Sequence, residues 1–121
     1  MSDIGTVMLP ATIDSETSGA VETLMMNALR PGGRLIIDGR DVTYMSAAGV
    51  RAFARALHHA QDVGARIAFC RFTGPAADCL LVSGFTALFD VVDSVEEASQ
   101  RLKGRSSGAA DERLRLRGHA G

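Results

Sequence analysis

The sequence predicts an α/β domain built around a largely parallel sheet. Short apolar runs of strand length, V-M-L-P-A at 7–11, L-I-I-D at 35–38, I-A-F-C-R-F at 67–72 and F-D-V-V-D at 89–93, alternate with stretches of helical period. That alternation is the pattern of consecutive β-α-β units. Helix punctuation falls between the runs: Pro75, Gly84 and the S-V-E-E box at 94–97. At 121 residues and 46% hydrophobic, the chain has material for one domain with one core.

The first strand is expected over 4–11. The first helix follows from Val21, Leu24, Met25 and Ala28, spaced i, i+3, i+4 and i+7 on one apolar face, with Asp14 or Ser15 able to cap its start. The second strand ends in Asp38. The second helix carries Val50, Phe53, Ala54 and Leu57 at the same spacing and is entered through D-V-T-Y-M-S-A-A-G-V, residues 41–50. After the third strand, Pro75 suits a first helical turn, where its missing N–H costs nothing, and Gly84 suits a left-handed stop with Phe85 folding back onto the last turn. In the fourth helix Ser94 and Glu97 form a capping box, each satisfying a backbone donor of the other.

Beyond Lys103 the composition changes to Gly, Ser, Ala and Arg, with only Leu114 and Leu116 able to be buried. Residues 1–103 are therefore read as the domain and 104–121 as a disordered basic tail. The tail carries four Arg against two acids, and residues 1–103 carry nine Lys/Arg against twelve Asp/Glu. With a net charge of −1 there is no basic footprint for nucleic acid. No apolar run approaches the roughly 20 residues that span a bilayer, and the N-terminus has no signal-peptide pattern, so a cytoplasmic protein is expected. Cys70 and Cys79 are too few for a disulfide framework and lack histidines at ligand spacing, so they read as reduced thiols with no metal. His58 and His59 diverge by about 100° on a helix and read as surface residues.

In this fold Asp14 and Asp38 lie near the carboxyl ends of their strands, where open α/β sheets take up ligands and partners. Ser46 is placed as N-cap of the second helix, with its hydroxyl accepting from an N–H two or three residues on. The exposed donors and dipole of such a helix start favour an anion, including a phosphate. Gly49 inside a helix costs roughly 1 kcal/mol against alanine, so its presence points to a close backbone approach. Arg51 and Arg55 lie one and two turns beyond Ala47 on one face, open to an acidic partner or to solvent alike. No nucleophile with a base, phosphate loop or metal cluster is recognisable, so no catalytic residue and no cofactor is expected.

The segments L-I-I-D-G-R-D-V-T-Y-M-S-A-A-G-V-R-A-F, V-G-A-R-I-A-F-C and V-S-G-F-T-A-L-F-D-V-V-D-S-V-E-E-A, with A-T-I-D before the first helix, resemble the STAS domain of anti-sigma factor antagonists from about residue 6 to 103. The resemblance implies a central mixed, mostly parallel sheet of four to five strands with four helices. It also implies a cytoplasmic partner-switching regulator that binds a serine kinase acting as anti-sigma factor, by way of Asp14, Asp38, Thr43, Ser46, Ala47, Ala48, Gly49, Arg51 and Arg55. The family's D-S-S-G or S-S-A-G motif falls on S-A-A-G at 46–49, which puts its phosphoacceptor on Ala47, a residue with no hydroxyl. Two outcomes follow: an antagonist that its kinase cannot silence, or a switch moved to Ser46. Relatives usually have an additional strand ahead of residue 4, so the sheet is expected to be a strand short, its edge open to another chain and the protein a monomer or weak dimer. Two other classes stay open, an accessory subunit of a lipid-transport ATP-binding cassette complex and a stress-signalling scaffold.

Overall fold

The computed structural model describes residues 4–88 and 90–103, and the expected tail over 104–121 lies outside the described residues. Among the described residues six strands and five helices follow in the order β1 (Ile4–Met8), β2 (Thr12–Ile13), α1 (Ser18–Ala28), β3 (Arg34–Asp38), β4 (Tyr44–Met45), α2 (Ala47–Asp62), β5 (Arg66–Cys70), α3 (Gly74–Val82), α4 (Phe85–Leu88), β6 (Val91–Val92) and α5 (Val95–Leu102). The main sheet has the order β1-β3-β5-β6, and β2 pairs with β4 in a second, two-stranded sheet. Every one of these pairings is parallel, in keeping with the mostly parallel sheet expected, and β3 is in register with β5 so that Asp38 stands opposite Cys70. The α/β class and the four longer helices are as the sequence predicts; the single turn α4 was not foreseen.

Strand alternation sorts the core into two layers. Val7, Leu35, Ile37, Ile67 and Phe69 face α1, α2 and α3, and Ile36, Ala68, Cys70 and Val92 face α5. An aromatic cluster anchors the larger layer: Phe53 of α2 lies 4.8 Å from Phe69 and 5.9 Å from Phe85, and Phe69 meets Phe85 edge-on at 5.2 Å. Fully burying such a ring contributes about 1.5–3 kcal/mol, with somewhat more from the tilted and edge-on geometry.

Several boundaries differ from expectation for identifiable reasons. The strand expected over 4–11 stops at Met8, since Pro10 has no N–H for a ladder, and the chain steps across to β2. β5 stops at Cys70 because Arg71 takes φ 63°, outside the β region. α1 begins at Ser18 with Thr17 as its N-cap, not Asp14 or Ser15. Asp14 instead closes the turn ahead of the helix, its Oδ1 accepting from the N–H groups of Glu16 (2.9 Å) and Thr17 (3.0 Å). In α2 the buried stripe is Gly49, Ala52, Phe53, Ala56 and Ala60, while Ala54 is exposed. The periodicity of the larger side chains pointed to a neighbouring face because the real stripe is mostly small residues that let the helix lie close. Ser94 Oγ accepts from Glu97 N–H at 3.0 Å, but the Glu97 carboxylate lies beside Arg101, so half of the expected capping box forms. Gly84 stops α3 at φ 84° and Phe85 folds back into the core, as predicted. No helix among the described residues is long and apolar enough to cross a membrane.

Candidate partner-docking rim

The carboxyl ends of β1, β3 and β5 open onto the connecting segments at 9–17 (with β2), 39–46 (with β4) and 71–73, and α2 starts among them. Ser46 caps α2: its backbone is extended (φ −106°, ψ 178°) and its Oγ accepts from Ala48 N–H at 3.2 Å. Ser46 N–H donates to the Ile13 carbonyl at 2.9 Å, which fastens the helix start to β2. The hydroxyl's acceptor side is thus used by its own helix, with the group half-buried. Ala47 is exposed, and Ala48 is half-buried behind it.

Gly49 is buried, and it explains why small residues follow Ser46. A Cβ there would stand 2.6 Å from Met45 Cγ and 2.8 Å from Ile13 Cγ2. The close approach expected of this glycine is to the β2–β4 pair beneath the helix, so Gly49 supports the rim from below and does not reach its surface. Thr43 is exposed at the rim, and its Oγ1 donates to the Ala11 carbonyl at 3.1 Å.

Asp38 differs more from expectation. It is 1% exposed, so it cannot be a surface contact. Its Oδ1 accepts from Arg40 N–H (3.0 Å) and Arg71 Nε (3.1 Å), and its Oδ2 from Arg71 Nη2 (2.5 Å). Burial works against the charge on this carboxylate, but the Arg71 hydrogen bonds, the Arg40 N–H and the two nearby guanidinium charges outweigh it and hold its pKa below the ordinary value. The Asp14 pKa is lowered as well, by the N–H groups of Thr17 and Glu16. Next to Asp38 in the sheet, the Cys70 thiol is pushed up to about 11 by burial and by the Asp38 charge, so it stays protonated and inert at neutral pH.

Arg51 is exposed, while Arg55 reaches Glu22 of α1 at 3.1 Å. The two arginines expected to act as one face therefore differ, one pointing to solvent and the other bridging helices. The sequence reading missed Arg71 and Phe72. Extending β5 to residue 72 concealed them; a strand ending at Cys70, opposite Asp38, would have put Arg71 beside that carboxylate.

The fold and the rim define the class: a small α/β domain that presents a helix start and three connecting segments at the carboxyl edge of a parallel sheet. A family model described as the STAS domain matches residues 2–98, and the chain belongs to that family. Among solved structures it is similar to a Thermotoga maritima protein described as an anti-sigma factor antagonist, with a TM-score of 0.69 and 13% identity over 80% of this chain and 86% of that one. A STAS domain protein of Planctomyces limnophilus gives 0.65 at 13% identity, covering 80% and 88%. The murine Solute Carrier 26 family member A9 anion transporter gives 0.68 at 14% identity over 83% of this chain, which spans 18% of the transporter. At these identities the likeness is one of fold. No curated protein gives a match.

Proposed function

We propose that this chain is a partner-switching regulator of the anti-sigma factor antagonist kind, docking a serine kinase that doubles as an anti-sigma factor in the cytoplasm. The docking surface is Asp14, Thr43, Ser46, Ala47, Ala48 and Arg51, with Arg55 at its margin and Asp38 and Gly49 acting from beneath. The observation that carries this reading is an exposed Ala47 at the first position of α2, beside a Ser46 whose Oγ is engaged as a cap. A kinase that transfers phosphate at that position would find the surface present and the hydroxyl missing. The protein would then act as a constant sink for its partner, set by its concentration rather than by phosphorylation. Its likeness in fold to proteins described as anti-sigma factor antagonists supports this reading.

The test is capture of the tagged chain from its own cells, with identification of its partner and an intact mass, followed by phosphorylation of the parent and of Ala47→Ser by the recovered kinase. The expected result is an unmodified parent and a variant that gains one phosphate. Phosphate on Ser46 of the parent would mean that the switch has moved by one residue. If the kinase binds both chains and modifies neither, the motif has been misplaced. A transport ATPase recovered as the partner would overturn the sigma-factor reading and favour an accessory subunit of a transport complex.

A further inference from the structure

The loops that shape the rim are joined at a side chain no partner can touch. Leu9 N–H donates to the Asp38 carbonyl at 3.2 Å. The Asp38 carboxylate gathers Arg40 N–H from one loop and the Arg71 fork from another. Two residues past Leu9, the Ala11 carbonyl receives the N–H groups of Thr43 (2.8 Å) and Tyr44 (3.1 Å), and the Ile13 carbonyl receives that of Ser46. These hydrogen bonds, joined by the backbone of residues 9–13, link Asp38 to the cap of α2.

Arg71 holds this arrangement in an unfavourable backbone conformation. It is the one non-glycine residue with positive φ among the described residues, a region that glycine occupies freely and a long side chain does not. Such strain persists where the surroundings over-determine it, and it clusters at binding and switch regions. The next residue is directed the same way: Gly39 N–H donates to the Cys70 carbonyl at 2.8 Å, and the Phe72 ring lies where a Cβ on Gly39 would be 2.4 Å from two of its carbons. Residues 71 and 72 therefore both close onto 38–39. A glycine at 71 would relieve the backbone but would lose the fork.

We infer that Arg71 is a positioning residue for the docking rim: its two-pronged contact with buried Asp38 holds the 39–46 loop, and with it the start of α2, in the shape a partner reads. The link to docking rests on the function proposed above; the hold on the loop does not. Because Arg71 acts through Asp38 and not at position 46 or 47, its effect is independent of phosphorylation.

Amide hydrogen exchange on the full chain tests the hold directly, comparing the parent with Arg71→Gly, which suits the backbone and removes the fork, and Arg71→Lys, which keeps the charge with a single donor group. The amides of Arg40, Val42, Thr43, Tyr44 and Ser46 should exchange about tenfold faster in Arg71→Gly when normalised to Ile36 and Ile37 in β3, with Arg71→Lys between. If all amides change by one common factor, Arg71 contributes only to overall stability, and if none changes it contributes to neither; either result overturns the inference. Should Arg71→Gly not fold, Arg71→Lys carries the same comparison. In a second arm the kinase recovered with the parent chain should bind Arg71→Gly about tenfold more weakly. Equal affinity with a loosened loop would break the link to docking. The first arm needs no partner, so failure to recover a kinase would count against the proposed function alone.

Discussion

Replacing Gly49 by alanine sets two quantities against each other within one helix. Alanine in place of a glycine gains at most about 1 kcal/mol where space allows, the full helix-interior value, and Gly49 stands only at the third position of α2. Here the added Cβ would stand 2.6 Å from Met45 Cγ, 2.8 Å from Ile13 Cγ2 and 3.0 Å from Met45 Sδ, against ordinary contacts of 3.4–4 Å. Met45 and Ile13 are both buried, and the Ile13 branch is stiff at χ1, so relief must come from moving α2 off the β2–β4 pair. Forcing an extra methyl into a packed site costs typically about 1–3 kcal/mol. Three short contacts place this one in the upper part of that range, which leaves a net loss of about 1–2 kcal/mol after the helical gain. Urea unfolding of Gly49→Ala against the parent, with Ala54→Gly as an exposed control on the same helix, measures it. The control should lose about 1 kcal/mol from helix propensity alone. A Gly49→Ala variant as stable as the parent, or more stable, would refute the packing argument and with it the reason given for small residues after Ser46.

Ser46→Ala should cost about 1 kcal/mol in the same assay, the usual worth of an N-cap, because Ala48 N–H then loses its acceptor; a neutral substitution would mean that water caps the helix equally well. For Cys70 the pKa in the folded chain is about 11 against 9.0 for an ordinary thiol, so the fold favours the protonated form. That contribution is intact below pH 9 and is lost as the pH rises toward 11, since the unfolded thiol ionises first. About 2 kcal/mol of stability should disappear between pH 8 and 10.5. Cys70→Ala should flatten most of this alkaline slope, whatever its stability at neutral pH, and an unchanged slope would assign it to other groups.

The sequence alone determined the class of fold, because alternating runs of strand and helix period leave few other ways to bury the apolar faces. It also determined the cap at Ser46 and the left-handed stop at Gly84, since each depends on backbone rules that operate within a few residues, and it marked Gly49 as a point of close approach without saying to what. The resemblance placed an alanine where the family carries its phosphoacceptor. Only the tertiary structure decided what Asp38 does. Read locally it is a polar residue at the end of a strand, but the partner that buries it is 33 residues away, and the pairing depends on β3–β5 register and on a backbone angle at Arg71 that no periodicity encodes. The same holds for the buried face of α2: large side chains suggested one stripe, and the distance at which the helix packs, set by Gly49 and its alanines against Ile13 and Met45, selected another. Local patterns are written in neighbouring residues, whereas the rim is made of loops that meet only after the sheet has formed.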